Sequence, residues 1–158
     1  MPYCRLSGYG NANDAYHQTA SSPEGNGPYS AMSKALSSAG LIPDAIDYVN
    51  AHGTGTPNND LSEGRALTRL FGEQLPAFSS TKPFTGHTLG AAGGIEAVLT
   101  ALAIRDGWIY PNLHFHQPMN ELPLIPQTKL LTDAALDHVL SNSFGFGGNC
   151  TSLIFSRV

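Results

Sequence analysis

The sequence predicts a layered α/β domain built around a mixed sheet. Five segments have the alternating or continuous apolar pattern of strands, and helical segments separate most of them along the 158 residues. One apolar run stops at His52, among glycines and threonines, as parallel strands do where they deliver polar groups to the carboxyl edge of a sheet. The stretch from Leu89 to Ile104 has almost no polar face, which predicts a helix that is buried on all sides.

The individual elements follow from local patterns. The expected strands are 4–10, 44–51, 77–80, 138–143 and 151–155. The expected helices are 29–39, 60–71 and 88–106. Gly40 and Gly72 suit the positions that end the first two helices, and Asn58 or Asn59 can cap the second. The polar segment 11–27 is expected to be a functional loop, because structureless loops of that length are uncommon in compact domains.

The composition favours a chain that binds something large or has lost a covering partner. Hydrophobic residues make up 41% of the sequence and charged residues only 13%, a low share for a free-standing domain. Eight basic residues against twelve acidic ones, without a basic cluster, argue against nucleic acid or an anionic membrane as the main partner. No apolar run reaches the roughly 20 residues that span a bilayer, and no signal peptide is visible. We therefore expect a cytoplasmic protein.

Neither cysteine is expected to act as a nucleophile. Cys4 lies in an early strand, and Cys150 begins the last strand without the helix N-terminus that activates a thiol. The first strand begins almost at the first residue, so the start is expected to be a truncation. We expect residues 1–158 to form a single domain.

Two histidines are candidates for a catalytic role. His52 alone would more often be a structural cap at a strand end. His87 also lies where a strand gives way to a helix, and the N-terminus of that helix would offer positive dipole. Two histidines that each follow a parallel strand can converge on one pocket above the sheet.

A buried ion pair is expected beside these histidines. Glu96 lies in the middle of the apolar helix and must be paired, because an unpaired buried charge costs several kcal/mol. Lys82 is the nearest cation in the sequence and can reach it. The pair would either support an active site or be purely structural.

Other polar positions have two interpretations each. Thr54 and Thr56 either satisfy turn backbone groups or face an elongated polar ligand. The glycines of loop 144–149 make either a tight strand connection or a close approach to a ligand, with a backbone N–H serving as an oxyanion donor. His114 and His116 form a His-x-His pair, but no third ligand stands at a recognised spacing, so we expect no metal site. Phosphate loops, dinucleotide fingerprints and nucleophile elbows are absent from the sequence.

Three motifs in order resemble the carboxyl-terminal half of β-ketoacyl-acyl-carrier-protein synthases, the condensing enzymes of fatty-acid and polyketide synthesis. They are NAHGTGTP at 50–57, STKPFTGHTLGAAG at 80–93 and NSFGFGG at 142–148, and the DAYH at 14–17 also fits. The similarity runs from about Arg5 to Phe155. It implies a thiolase-like half, layered α/β/α with a mixed five-stranded sheet and one buried helix. The family's reaction is a decarboxylative Claisen condensation.

The resemblance also implies roles for individual residues. His52 and His87 would be the two catalytic histidines, which hold the enolate oxygen of a malonyl thioester. Lys82 would be the supporting lysine, and Phe146 the gating phenylalanine whose N–H completes an oxyanion hole. The residues expected to contact substrate are Thr54, Thr56 and Phe144, and the further supporting residues are Glu96, Glu63 and Asp60.

Partners and alternatives follow from the same resemblance. No cofactor is expected to be bound, because the substrate is carried on the phosphopantetheine of acyl carrier protein. The family's nucleophilic cysteine belongs to an amino-terminal half that is absent here, so a missing half or partner subunit and a homo- or heterodimer are expected. Asn149-Cys150 departs from the family's usual Thr-Asn. The rival function is a non-catalytic, chain-length-factor type subunit, and a degradative thiolase is a third.

Overall fold

The computed structural model describes residues 2–158 and contains one mixed five-stranded sheet. The strands are β1 Arg5–Asn13, β2 Tyr48–Asn50, β3 Ala77–Ser79, β4 His138–Gly145 and β5 Asn149–Ser156. The helices are α1 Asn26–Ala39, α2 Pro57–Phe71, α3 Lys82–Thr85 and α4 Ala92–Asp106. The spatial order is β1-β5-β4-β2-β3, with β2 parallel to both neighbours and the β1–β5 and β5–β4 pairs antiparallel. The predicted mixed α/β fold is therefore confirmed.

The two faces of the sheet bury different helices. Adjacent strand residues point to opposite faces, so Val49 and Leu140 join the core that Met32 of α1 and Leu67 of α2 complete. The preceding residues, Tyr48 and Val139, pack on the other face against Ala103 and Ile104 of α4. This alternation produces the three expected layers.

Several element boundaries differ from the predictions. The second strand is only three residues long, because a 3₁₀ helix at Pro43–Ala45 takes up part of the expected segment. Helix α2 begins at Pro57, and the side chain of Thr56, rather than Asn58 or Asn59, caps it by accepting the Asn59 N–H at 3.4 Å. The short helix α3 was not expected. Gly40 adopts the predicted left-handed conformation after α1, at φ 68°.

Helix α4 is not buried on all sides in this chain. Its sheet-facing residues, including Glu96, Thr100 and Ala103, are buried, whereas Val98 on the opposite side of the helix is 60% exposed. One sheet can cover only one side of a helix, and an apolar sequence all round leaves the other side for a further layer. Within residues 2–158, no helix combines the length and apolar character needed to cross a bilayer.

Helix α1 lies unusually close to the edge strand β1. A Cβ atom added at Gly10 would collide with the carbonyl oxygen of Ala31 and would lie 2.6 Å from the nitrogen of Ala35. A Cβ at Gly8 would lie 2.7 Å from the Cβ of Ala39. The two glycines therefore set the distance between the helix and the sheet.

We expect Gly10→Ala to lower the free energy of unfolding by about 1–3 kcal/mol, because the helix backbone must move away from the strand. Urea unfolding of the purified chain measures this change. Gly94→Ala on α4 is the matched control, since an added Cβ there meets no atom within 4 Å. Equal stability of the Gly10 variant and the control would contradict the close-packing argument.

Candidate active site

One edge of the sheet collects the polar residues that follow β2 and β3. Asn50 at the end of β2 pairs with Ser79 of β3 and with Ser141 of β4. His52 comes two residues after β2, whereas Lys82 and His87 lie just beyond β3. Because the three strands are parallel, these segments arrive at the same edge.

The imidazole of His52 is buried, with 4% of the residue exposed. Its Nδ1 accepts hydrogen bonds from the Lys82 ammonium at 3.2 Å and from the Phe144 N–H at 3.3 Å. Since both partners are donors, Nδ1 carries no proton and the proton of the ring is on Nε2. His52 is therefore oriented as a hydrogen-bond donor through Nε2.

The surroundings of His52 keep it uncharged. Burial lowers the pKa of His52 to about 3, and the positive charges of Lys82 and a protonated His87 act in the same direction. A neutral imidazole at physiological pH can donate a hydrogen bond but is a poor proton source. This distinguishes His52 from a histidine that serves as a general acid.

His87 lies beside His52 and has the same proton arrangement. The two ring centroids are 5.4 Å apart, and the planes are nearly perpendicular at 86°. The Nδ1 of His87 accepts the N–H of Leu89 at 3.2 Å, which leaves Nε2 as the donor. Leu89 has a φ of 54°, a costly conformation for a leucine, and this turn brings its N–H to the histidine.

The helix expected directly after His87 is delayed. A 3₁₀ turn at Leu89–Ala91 comes first, and α4 begins only at Ala92. The backbone contact made by Leu89 therefore orients His87, rather than a helix N-terminus next to the ring.

Lys82 and Glu96 form a buried ion pair below the histidines. The Lys82 ammonium contacts the Glu96 carboxylate, and both side chains are almost fully shielded from solvent. The second carboxylate oxygen of Glu96 accepts the Ser143 hydroxyl at 3.0 Å. With both oxygens used, Glu96 holds Lys82 in the position from which it reaches His52.

Glu63 supports the backbone of the histidine loop rather than Lys82. Its carboxylate accepts the N–H groups of His52 at 2.9 Å and Gly53 at 2.8 Å. The Asn142 side chain donates to it at 3.1 Å. Burial raises the pKa of Glu63, and these hydrogen bonds counteract the rise. Glu63 makes no hydrogen bond to Lys82, but both residues bind His52, and the charge of Lys82 also lowers the pKa of Glu63.

The two threonines lie at the entrance to this region. Thr54 lines a cavity of about 650 Å³ together with Asp60, Lys82 and His87. The hydroxyls of Thr54 and Thr56 are 2.9 Å apart. Asp60 accepts the Gly55 N–H at 3.3 Å, and burial raises the pKa of its carboxyl group. Thr56 thus caps α2 and also contacts the residue that lines the cavity.

The two phenylalanines of the glycine loop have different environments. Phe144 is 8% exposed and packs its ring 5.3 Å from that of His52, so it acts on the histidine through both its ring and its N–H. Phe146 is 77% exposed at the tip of the loop. No contact described for residues 2–158 joins Phe146 to either histidine.

The end of β1 and the segment after it hold the glycine loop, residues 144–149, in place through hydrogen bonds. Gly147 donates its N–H to the Gln18 carbonyl at 2.7 Å, and Asp14 donates its N–H to the Gly148 carbonyl at 2.8 Å. Asn13 adds a side-chain bond to the Gly147 carbonyl at 2.8 Å. The end of β1 and the residues after it therefore set the position of the loop that carries Phe146. The expected loop 11–27 is shorter in the structure, because β1 continues to Asn13 and α1 begins at Asn26.

The remaining candidates stay outside the histidine pair. His114 and His116 line the same cavity, but no group of three metal-ligating side chains able to hold an ion occurs within residues 2–158. Burial raises the pKa of Cys150 to about 12, assisted by Asp14 and Glu63, which keeps the thiol protonated. Cys4 also has a raised pKa because of burial.

Comparison with known proteins gives a consistent result. A family model described as "Beta-ketoacyl synthase, C-terminal domain" matches residues 3–116. The 3-oxoacyl-[acyl-carrier-protein] synthase 2 of Staphylococcus aureus strain COL is 44% identical over 157 residues, which is 98% of this chain and 38% of that protein. The resemblance predicted from the three motifs is therefore confirmed. The chain spans only about two fifths of the length of such relatives.

Solved structures agree in fold. A ketosynthase (ApeO) in complex with its chain length factor (ApeC) from Xenorhabdus doucetiae matches with a TM-score of 0.88 at 40% identity, covering 100% of this chain and 40% of that one. A type II polyketide ketosynthase complex with its acyl-carrier protein (AntDE:AntF) matches with a TM-score of 0.91 at 31% identity, covering 99% and 39%. The thiolase-like architecture of ketosynthases is thus shared by this chain.

We expect His52 to remain neutral from pH 8 to about pH 4, whereas exposed histidines become protonated. NMR titration of the histidine ring resonances measures this directly. The pKa of His52 in the folded state, about 3, lies below its ordinary value of 6.5, so the unfolded chain binds the extra proton. The contribution of His52 to stability is therefore complete above pH 6.5 and declines as the pH falls towards 3. A His52 resonance that titrates near pH 6.5 would contradict the buried, neutral assignment.

Proposed function

Because the chain belongs to the family of β-ketoacyl synthase carboxyl-terminal domains, we propose that it provides the decarboxylating half of a condensing active site. The reaction would join malonyl-acyl carrier protein to an acyl group held as a thioester. The observation that carries the proposal is the pair of histidines, whose Nδ1 atoms both accept hydrogen bonds and whose ring centroids are 5.4 Å apart. Each histidine is left with one Nε2–H to donate.

Two fixed N–H donors suit the charge that develops during decarboxylation. When the bond between the malonyl α-carbon and its carboxylate breaks, CO₂ leaves and the electron pair moves onto the thioester oxygen as an enolate. Donors that are fixed before the reaction stabilise that oxyanion without reorganisation. Since neutral imidazoles are very weak acids, they hold the enolate without protonating it. The α-carbon therefore keeps the electron pair with which it attacks the acyl thioester.

The second step forms the new carbon–carbon bond and releases the cysteine thiolate. The α-carbon forms a bond to the acyl carbonyl carbon, and the cysteine thiolate that carried the acyl group leaves. In our proposal the Phe146 N–H contributes to the oxyanion hole for this step. Within residues 2–158 neither cysteine is an activated thiol, because burial raises the pKa of both Cys4 and Cys150. The nucleophile would therefore come from another part of the protein or from a partner.

Lys82 and Glu96 would act through His52. The Lys82 ammonium donates to Nδ1 and its charge disfavours protonation of the ring, so it fixes both the tautomer and the neutral state. Glu96 offsets the cost of burying that ammonium. Glu63 and Asp60 support the loop between His52 and α2 through the N–H groups of Gly53 and Gly55.

The substrate arm would enter through the cavity beside Thr54. We assign the phosphopantetheine arm of acyl carrier protein to contacts with Thr54 and Thr56, with Phe144 forming the wall behind His52. The arm belongs to the substrate, and the proposal requires no resident cofactor. The proposed setting is cytoplasmic, and the proposed assembly is a dimer.

The rest of the synthase would cover helix α4. Its outer side carries Val98, which is 60% exposed, and neighbouring apolar residues. We propose that residues 1–158 form the carboxyl-terminal domain and that an amino-terminal half, with the nucleophilic cysteine, packs on this side. A layer there would bury the apolar residues on the outer side of α4.

We expect His52→Ala and His87→Ala each to lower the rate of malonyl-dependent condensation by about 100- to 1,000-fold, the usual loss for one oxyanion donor. The assay uses the complete synthase and follows CO₂ release together with product formation. The matched control is His138→Ala, because His138 binds Ser156 at the opposite end of β4. A variant at either site histidine that folds and keeps the control's rate would overturn the assignment.

A second candidate function is a non-catalytic subunit that shapes a paired synthase. The similarity to a ketosynthase solved together with its chain length factor favours keeping this candidate. Intact-mass measurement of the complete protein, with the part that would carry the nucleophilic cysteine, after incubation with acyl-acyl carrier protein separates the two. A catalytic synthase is expected to gain the mass of the acyl group on a cysteine, whereas a shaping subunit stays unmodified.

A further inference from the structure

A groove between α1 and α2 is lined by hydrogen-bond donors and by no carboxylate. Its volume is about 430 Å³. Three hydroxyls at helical spacing form one wall, from Ser30, Ser33 and Ser37 of α1, and cations from both helices flank them. None of the residues in this groove lines the cavity beside Lys82 and His87.

Arg69 of α2 is held in a fixed orientation at the groove. Its guanidinium lies 3.8 Å above the centre of the Tyr29 ring. One nitrogen donates to the Asn26 side-chain oxygen at 3.2 Å. A guanidinium has five N–H donors, and within residues 2–158 no carboxylate is paired with Arg69. Most of its donors therefore remain available to a ligand.

Lys34 of α1 is the second cation and is also without a carboxylate partner in the described chain. Its ammonium donates to the Asn11 carbonyl at 2.9 Å, which uses one of its three N–H bonds. Two charges placed without counter-charges on a protein with a net charge of −4 create a local positive site.

The hydroxyl of Ser33 provides an independent sign of a ligand. Its oxygen is buried but has no hydrogen-bond partner in the part of the chain that the structure describes. Buried polar atoms without partners are rare, because the lost hydration costs free energy. Ser33 lines the groove, so rotation of its side chain to another χ1 rotamer would turn the hydroxyl toward a bound group.

We propose that this groove binds a phosphate monoester. Such a group carries a charge of about −1.5 to −2 and three acceptor oxygens, which matches two cations and a row of hydroxyl donors. The planar fork of Arg69 suits two oxygens of a phosphate at once, and Lys34 supplies a point charge. A carboxylate would neutralise only one of the two cations.

Equilibrium dialysis of the full-length protein against labelled inorganic phosphate, at constant ionic strength, tests the site. We expect saturable binding of one phosphate per chain in the groove. The double variant Lys34→Ala/Arg69→Ala is expected to bind at least tenfold more weakly, since it loses charge-assisted hydrogen bonds. Arg65→Ala is the matched control, because Arg65 lies on the same helix, is paired with Glu24 and does not line the groove.

Ser33→Ala and His87→Ala sharpen the test. The first is expected to weaken phosphate binding several-fold while leaving the free energy of unfolding unchanged, since the hydroxyl has no partner within the described protein. The second is expected to leave phosphate binding unchanged, which separates this site from the proposed active site. Unchanged binding in the double variant, an equal loss in Arg65→Ala, or competition by acetate as strong as by phosphate would overturn the proposal.

Discussion

The contact between the Lys82 ammonium and the imidazole of His52 is the interaction on which the candidate site depends. It requires a buried cation, and a buried cation requires Glu96, which in turn is held by Ser143. The geometry of α4 therefore determines the proton arrangement of a histidine on a different layer of the fold. The positive charge of Lys82 disfavours a second positive charge on His52, because a protonated imidazole would face the ammonium directly.

Much of this arrangement could be predicted from the sequence, because the key polar residues interrupt the apolar patterns around them. Glu96 in an apolar helix and His52 at the end of an apolar run are exceptions to the patterns around them, and burial makes such exceptions costly unless they have partners. The neighbouring apolar residues Tyr48 and Val49 likewise point to opposite faces of the sheet, and both faces are buried. Residue type and spacing were sufficient to place the strands, three of the four helices and the histidine pair.

Other features could not be predicted, because the groups concerned are backbone atoms or depend on how the helices pack against the sheet. The N–H groups of Phe144 and Leu89 orient the two histidines, and any residue type supplies an N–H. The bonds from Glu63 to the backbone after β2 become visible only once α2 is placed against the sheet. The all-apolar sequence of α4 predicted burial on all sides, but one sheet covers only one side of the helix and Val98 on the outer side is 60% exposed.

The pairing of β4 with β2 has a consequence for how the protein acquires its site. The strands are about ninety residues apart in sequence, with Tyr48 aligned to Val139 and Asn50 to Ser141. The Phe144 N–H can reach His52 only after this parallel pair has formed. Non-local parallel pairing is slow, because a long loop must close before any contact rewards it. We therefore expect the site to assemble late in folding, and a nascent chain that lacks β4 would have its histidines without the partners that orient them.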